Sequence, residues 1–246
     1  MNKRITNEIW NKFDENRINR AEYFLELILK IVGKSFLVGE RFLDIGGGTG
    51  TNAAVIGRNF TEKYSLDIKI PPVEKRMPGV IYIQGDAHCL QYDDNFFDVV
   101  SLFSVIEHLK NPQVALKEAA RVLKQGGLLI IQGPNWRFPL DLHTGLPNPF
   151  LIPYFLRKRF LKALNYEWWM DEVFYVSWRN VIQILSGNNL QCRLLGKRSV
   201  IYQISLIPNG FQVFYRIIKL LGILSVWPMS YIFIFQKISQ ADDYPR

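Results

Sequence analysis

Phe42-Leu-Asp-Ile-Gly-Gly-Gly-Thr-Gly-Thr-Asn-Ala-Ala-Val-Ile-Gly57 joins an apolar run to a cluster of glycines and then to a helix-forming segment. An apolar strand ends near Asp44 and runs into Gly46, Gly47, Gly48 and Gly50, after which Thr51 to Asn59 reads as a helix. A glycine-rich turn between a strand and a helix lets the backbone pass close to a small polar cofactor, with the helix N-terminus aimed at it. The spacing is G-x-G-x-G. The stricter dinucleotide fingerprint requires a further glycine where Thr51 stands.

Working outward, Lys63 to Asp67 reads as a second strand ending in an acid. Asp67 follows the turn by about 20 residues, the place where a carboxylate can accept from both hydroxyls of a ribose. Val80 to Gln84 reads as a third strand leading into Gly85-Asp86-Ala87, and Phe97 to Phe103 as a fourth leading into Ser104-Val-Ile-Glu-His108. Helices are expected at about Pro72–Lys75 and at Pro112–Leu123. Gly126-Gly127 then opens a fifth strand, Leu128 to Gln132. Strands alternating with helices imply a parallel sheet with right-handed crossovers, and strands that are apolar throughout imply a sheet covered on both faces. Asn16 to Lys34 reads as a leading amphipathic helix, with Leu25, Ile28, Leu29 and Val32 at helical spacing.

Past Asn135 the rhythm stops. Trp136 to Tyr175 is rich in proline, aromatic and basic residues. Its length points to a functional segment and its aromatic content argues against disorder. Trp178–Ser186 then reads as a helix, Leu190–Leu195 as a sixth strand and Ser230–Ile238 as the last. In Phe211–Leu224 the polar positions Gln212, Arg216, Lys219 and Gly222 form a narrow stripe on an otherwise apolar helix. That pattern fits a helix docked on its own domain or one lying on a membrane surface.

The 246 residues, 48% of them hydrophobic and 14% aromatic, are enough for one globular α/β domain. The net charge of +8 falls almost entirely after residue 133, which favours anionic partners such as phosphorylated substrates or acidic membranes. Two cysteines without a metal spacing, and an N-terminus without the apolar core of a signal peptide, lead us to expect a cytoplasmic protein, with peripheral contact to an anionic membrane through 211–224.

The pieces LDIGGGTG, SLDIK, GDAHCL, FDVVSLFSVIEHL and AARVLKQGGLLIIQGPN, in this order, resemble the class I S-adenosylmethionine-dependent methyltransferases, in particular the type-11 small-molecule group. The resemblance implies an α/β fold: a doubly wound, mostly parallel seven-stranded sheet (the Rossmann-like methyltransferase fold) with its last strand antiparallel. Insertions are expected after strands five and six. A single domain over 1–246 would comprise an N-terminal helical cap (1–40), a cofactor-binding core (41–135), a substrate-cap insertion (136–177) and C-terminal strands with the amphipathic helix 211–224 (178–246).

It also implies S-adenosylmethionine as cofactor. By resemblance, the amino-acid end lies over Gly46, Gly47, Gly48 and Gly50, with Asp44 orienting the ammonium group. Asp67 holds the ribose and Ile68 packs on the adenine face. Asp86 accepts from the adenine amino group, and Ala87 leaves room beside the ring. Phe103 and Ser104 sit near the methyl-donating centre. Glu107 and His108 resemble the acid–histidine pair that follows the fourth strand in many relatives. Quinone O-methyltransferases with a metal carry a further glutamate three positions earlier, where this chain has Ser104, so no metal is expected.

His108 and His143 are the candidate catalytic histidines. A histidine in the loop after the fifth strand can take a proton from a hydroxyl nucleophile, and Asp141 can orient it. The alternative reading makes each a structural histidine held by a hydrogen-bond partner. The function expected is methyl transfer to a small-molecule acceptor, amphiphilic, lipid-linked or saccharide-related. Against nucleic-acid methylation, the fourth strand is followed by Ser104-Val-Ile-Glu107 in place of an (Asn/Asp)-Pro-Pro-aromatic sequence. A dehydrogenase is disfavoured by Thr51, and a non-catalytic scaffold by the intact turn and its two downstream acids.

Overall fold

In the computed structural model the described residues are 7–141, 143–144, 147–187, 192–200, 212–221 and 228–238. A leading helix α1 (Asn7–Val32) precedes β1 (Gly39–Ile45), α2 (Thr51–Ile56), β2 (Phe60–Asp67), β3 (Ile81–Gln84), β4 (Phe97–Phe103), α3 (Pro112–Val122) and β5 (Leu123–Pro134). There follow α4 (Tyr154–Ala163), α5 (Trp169–Glu172), α6 (Trp178–Leu185), β6 (Cys192–Val200), α7 (Gln212–Leu220) and β7 (Ser230–Lys237). The seven strands form one sheet in the order β3-β2-β1-β4-β5-β7-β6. Strands β1 to β5 pair in parallel, and β7 runs antiparallel between β5 and β6.

The period of two along each strand divides the core. Phe42, Val99, Leu128, Ile130, Ile232 and Ile234 point to one face and pack with Phe24 and Ile28 of α1 and Ala53 and Ile56 of α2. Their neighbours Leu43, Val100, Leu102, Leu129, Ile131 and Phe233 point to the other face and meet Leu116 and Ala119 of α3 and Val181 and Leu185 of α6. Both faces are covered, which is why the strands read as unbroken apolar runs.

Several boundaries differ from the sequence reading. α2 ends at Ile56, capped by Gly57, because the chain must turn at once to begin β2 at Phe60. The helix expected near Pro72 is a single 3-10 turn, Val73–Lys75. β5 starts at Leu123, five residues before the expected strand. Gly126-Gly127 lies inside it, where the register against β4 shifts. α1 extends further toward the N-terminus than Asn16. Residues 190–191 of the expected sixth strand, and 211 and 222–224 of the expected amphipathic helix, lie outside the described residues.

The stretch between β5 and α6 carries its own small core. Trp136, Leu161, Trp169 and Val173 are buried together, with Phe150, Phe160 and Tyr166 packed around them. Buried Asn148 ties this unit to the end of β5: its side-chain amide donates to the carbonyls of Trp136 and Phe138, both at 3.0 Å, and its Oδ1 accepts from the Phe150 amide at 3.0 Å. Tryptophan and phenylalanine supply the burial that lets a polar, proline-rich stretch hold a shape.

Candidate active site

The site lies at the carboxyl ends of the parallel strands, where this class of sheet places its crevice. After β1 the backbone takes positive φ at Gly46 (68°), Gly48 (51°) and Gly50 (79°). The demand is steric at Gly46, where a Cβ would run into Val105, and purely conformational at Gly48, whose Cβ position is open space. The turn is pinned from several sides. The Gly46 amide donates to the Leu66 carbonyl at 2.7 Å, and the Tyr82 hydroxyl of β3 donates to the Thr49 carbonyl at 2.7 Å. Arg17 of α1 reaches over to donate to the Thr49 hydroxyl at 3.1 Å.

At the end of β2, Asp67 Oδ2 accepts from the Gly48 amide at 3.1 Å and Oδ1 from the Lys69 amide at 3.1 Å, so the carboxylate stands beside the open face of the turn. Ile68 is 68% exposed, an apolar surface unsupported by any core. A clear glycine face, a carboxylate at its rim and a bare apolar side chain next to it are what a nucleoside with a charged tail requires.

Asp44, which the resemblance assigns to the ammonium group, lies under the turn. It is fully buried beneath Gly47, with Oδ1 accepting from the Ser101 hydroxyl at 2.7 Å and Oδ2 left without a partner in good hydrogen-bond geometry. Burial pushes its pKa up to about 7, against the opposing hydrogen bonds of Ser101 and Asn52. It supports the turn from below. Asp86 is exposed but occupied: Oδ1 accepts from the His88 amide at 2.9 Å and lies 2.6 Å from His88 Nδ1, contacts that hold its pKa below the ordinary value. Ala87 is buried in the core beside Leu90. Phe103 is likewise buried and stacks on Phe24 of α1 at 5.2 Å.

Ser104 has φ +54°, a conformation unusual for a residue with a side chain. It is held by Gln132 of β5, whose carbonyl accepts from the Ser104 amide at 3.1 Å and whose Oε1 accepts from its hydroxyl at 2.8 Å. The kink seats Val105 against Gly46 and starts the 3-10 turn Ile106–His108.

That turn meets the loop after β5. His143 Nε2 lies 3.8 Å from Glu107 Oε1, and its Nδ1 is 3.1 Å from Asp141 Oδ1. Asp141 Oδ2 accepts from both the amide and the hydroxyl of Thr144, at 2.9 and 2.8 Å. The His108 and His143 rings meet edge to face at 5.2 Å, and His108 Nδ1 is 2.7 Å from the Glu172 carbonyl. Burial raises the pKa of Glu107 to about 7 and lowers that of His108. Burial also opposes charge on His143, but the hydrogen bond and charge of Asp141, with Glu107, outweigh it and leave that pKa raised.

The sequence offers Glu107–His108 and Asp141–His143 as two separate pairs; the structure brings the pairs together. Sequence reasoning did not find Tyr82, Arg17 or the Glu172 carbonyl. The tyrosine sits inside an ordinary-looking strand, and the other two act across large sequence separations.

A family profile described as "Methyltransferase domain" (type 11) matches residues 43–131, from β1 to β5. The demethylmenaquinone methyltransferase of Staphylococcus carnosus is 31% identical over 173 residues, 63% of this chain and 70% of that protein. The chain belongs to the class I S-adenosylmethionine-dependent methyltransferases. Their cofactor, S-adenosylmethionine, is a nucleoside with a charged amino-acid tail, the shape of ligand that the turn, Asp67 and Ile68 fit. The demethylmenaquinone methyltransferase of Renibacterium salmoninarum is 30% identical over 130 residues, 52% of each chain, so this methyltransferase spans about half the length of that relative. Among solved structures, the YcgJ protein of Bacillus subtilis shares the fold with a TM-score of 0.55 at 21% identity, covering 89% of this chain and 99% of that one. The geranyl diphosphate C-methyltransferase of Streptomyces coelicolor, solved with Mg2+, geranyl diphosphate and S-adenosyl-L-homocysteine, does so with a TM-score of 0.57 at 10% identity, covering 88% and 77%.

Proposed function

We propose that this methyltransferase transfers the methyl group of S-adenosylmethionine to a small amphiphilic acceptor with an anionic or strongly polar end. The cofactor brings an activated methyl group, so the protein's work is positioning and exclusion of water. Gly46, Gly47, Gly48 and Gly50 present backbone to the amino-acid end, Asp67 accepts from the ribose, and Ile68 covers the base. Asp86 is offered to the adenine amino group by releasing His88, while Asp44, Ala87, Phe103 and Ser104 shape the floor. On the acceptor side His143, oriented by Asp141, and His108 meet the reacting group and dispose of its proton.

The observation that carries the acceptor class is a cavity of about 670 Å³ beside the carboxyl end of β5. Trp136, Tyr175 and Trp178 form apolar walls, while Arg137, Arg179 and Lys197 supply positive charge. The backbone links the cavity wall to the histidine cluster: the Phe174 amide donates to the Glu107 carbonyl at 2.7 Å, and the next residue, Tyr175, lines the cavity. Aromatic walls with basic residues suit an isoprenoid or aromatic body bearing an acidic or phosphorylated end. Curated relatives named demethylmenaquinone methyltransferases support an acceptor that is a small molecule. Residues 136–177 would act as the substrate cap.

Helix α7 supports a membrane-associated working place. Val213, Ile217, Leu220 and Leu221 are exposed at helical spacing, flanked by exposed Arg216 and Lys219. Among the described residues no helix is long and apolar enough to cross a membrane. The test is methyl transfer from labelled S-adenosylmethionine to prenylated phenols and isoprenoid phosphates, with flotation on anionic vesicles. Transfer only to short, uncharged acceptors would exclude this acceptor class, and indifference to anionic lipid would exclude the membrane role.

A further inference from the structure

Ser104 offers no carboxylate beside Glu107 and His108. In the structure the loop after β5 delivers a different third group. Glu107, His108 and His143 each present a ligand-type atom within 4.8 Å of the others. We propose that these three residues form a binding site for a divalent cation of the zinc class. This deepens the acceptor-side reading: it specifies how the two histidines meet the acceptor.

Three features of the cluster point the same way. Both imidazoles are oriented alike: His143 Nδ1 is engaged by the Asp141 carboxylate and His108 Nδ1 by the Glu172 carbonyl. A histidine whose Nδ1–H is held by an oxygen leaves Nε2 as a bare lone pair, the form in which imidazole binds metals, and the oxygen partner fixes the ring. Glu107 is 2% exposed, yet its Oε2 has no hydrogen-bond partner. A buried carboxylate oxygen left unpaired is costly unless something takes it up. His143 Nε2 and Glu107 Oε1 are 3.8 Å apart. Ligands of a tetrahedral zinc ion at about 2.0–2.1 Å stand roughly 3.3 Å from one another, so a contraction of about half an ångström completes that pair.

Two imidazoles and one carboxylate select zinc-like cations over Mg2+, which prefers oxygen ligands in a rigid octahedron. Three protein ligands leave a fourth position, and because the His108 and His143 residues reach solvent while their rings are partly covered, a water or an acceptor oxygen can enter it. A cation there would lower the pKa of a bound hydroxyl, serving the proton transfer that the two histidines are proposed to manage.

The test is calorimetric titration of Zn2+ into the full chain after chelator treatment, without acceptor. One saturable site is expected, weakened about a hundredfold or more by His143→Ala or Glu107→Gln and by about 10–100-fold in Asp141→Asn. Melting curves of each variant verify folding, and His108→Gln, at an exposed position, removes a ligand with the least disturbance to the core. Mg2+ should give no comparable binding. Absence of saturable Zn2+ binding, or binding that survives unchanged in all four variants, overturns the inference. Methyl transfer undiminished in chelator-treated protein that binds no Zn2+ also overturns it while leaving the acceptor-side reading intact. Zn2+ held by these residues without transfer to any acceptor upholds the site and removes that reading instead.

Discussion

The two sides of the crevice are built in opposite ways. The cofactor side is made of backbone and short polar groups: three left-handed glycines, one carboxylate accepting from the turn and one bare isoleucine. Of its carboxylates, Asp86 is exposed, Asp67 half-buried and Asp44 fully buried beneath the turn. The proposed acceptor side is made of titratable side chains brought together from three segments, with Glu107 and Asp141 both buried. The first region holds a known shape by geometry. The second keeps reactive groups in an environment that perturbs them, which is how active sites tune proton transfer.

The largest expected effect falls on the cofactor side. Gly46→Ala places a Cβ against Val105 and forces an unfavourable φ, so a loss of about 2–4 kcal/mol and of S-adenosylmethionine binding is expected by calorimetry and thermal melting. Gly48→Ala adds only the conformational strain, about 1–2 kcal/mol, because nothing stands in its way. Equal destabilisation by the two would break the distinction between a glycine required by packing and one required by approach.

On the acceptor side, His143→Ala is expected to lower methyl transfer by about a hundredfold or more, the scale of a lost acid–base group, while leaving cofactor affinity within a few-fold. Loss of both together would show that the two sides are not separable.

The smallest effect concerns pH. In the folded protein Glu107 holds its proton up to about pH 7, above its ordinary value of 4.5. Between those values the folded state binds more protons than the unfolded one, so stability from this group is full at low pH and is lost as pH rises through 7. Glu107→Gln has no proton to release. Its stability relative to the native protein should therefore increase between pH 4.5 and 8, by on the order of 1–3 kcal/mol in denaturant melts. A difference independent of pH would show that the carboxyl is hydrated in solution.

The same contrast explains what could be read from sequence. The proposed cofactor side is local: strand, turn, strand and acid follow one another, so spacing alone singles out Gly46, Gly48, Gly50 and Asp67, and in the structure Asp67 accepts from the Gly48 amide. The seven-stranded sheet and the antiparallel β7 came from the family resemblance that this order of motifs carried, whereas the order β3-β2-β1-β4-β5-β7-β6 is visible only in the structure. The environment of Asp44 was not legible, because a motif gives the position of an acid but not that its side chain is buried against Ser101. The acceptor side depends on contacts between Glu107, His143 and Glu172, which no periodicity records. The start of β5 at Leu123 was missed because Gly126-Gly127 reads as punctuation, although a strand tolerates glycine at a register shift.

The most direct measurement of the central claim is calorimetric titration of S-adenosylhomocysteine into the native protein and into Asp67→Ala, side by side. One site is expected in the native protein, weakened about tenfold or more by the substitution, the scale of a charged hydrogen-bonding group lost from a ligand, with little change in melting temperature. No binding to the native protein, or equal affinity in both, would contradict that claim.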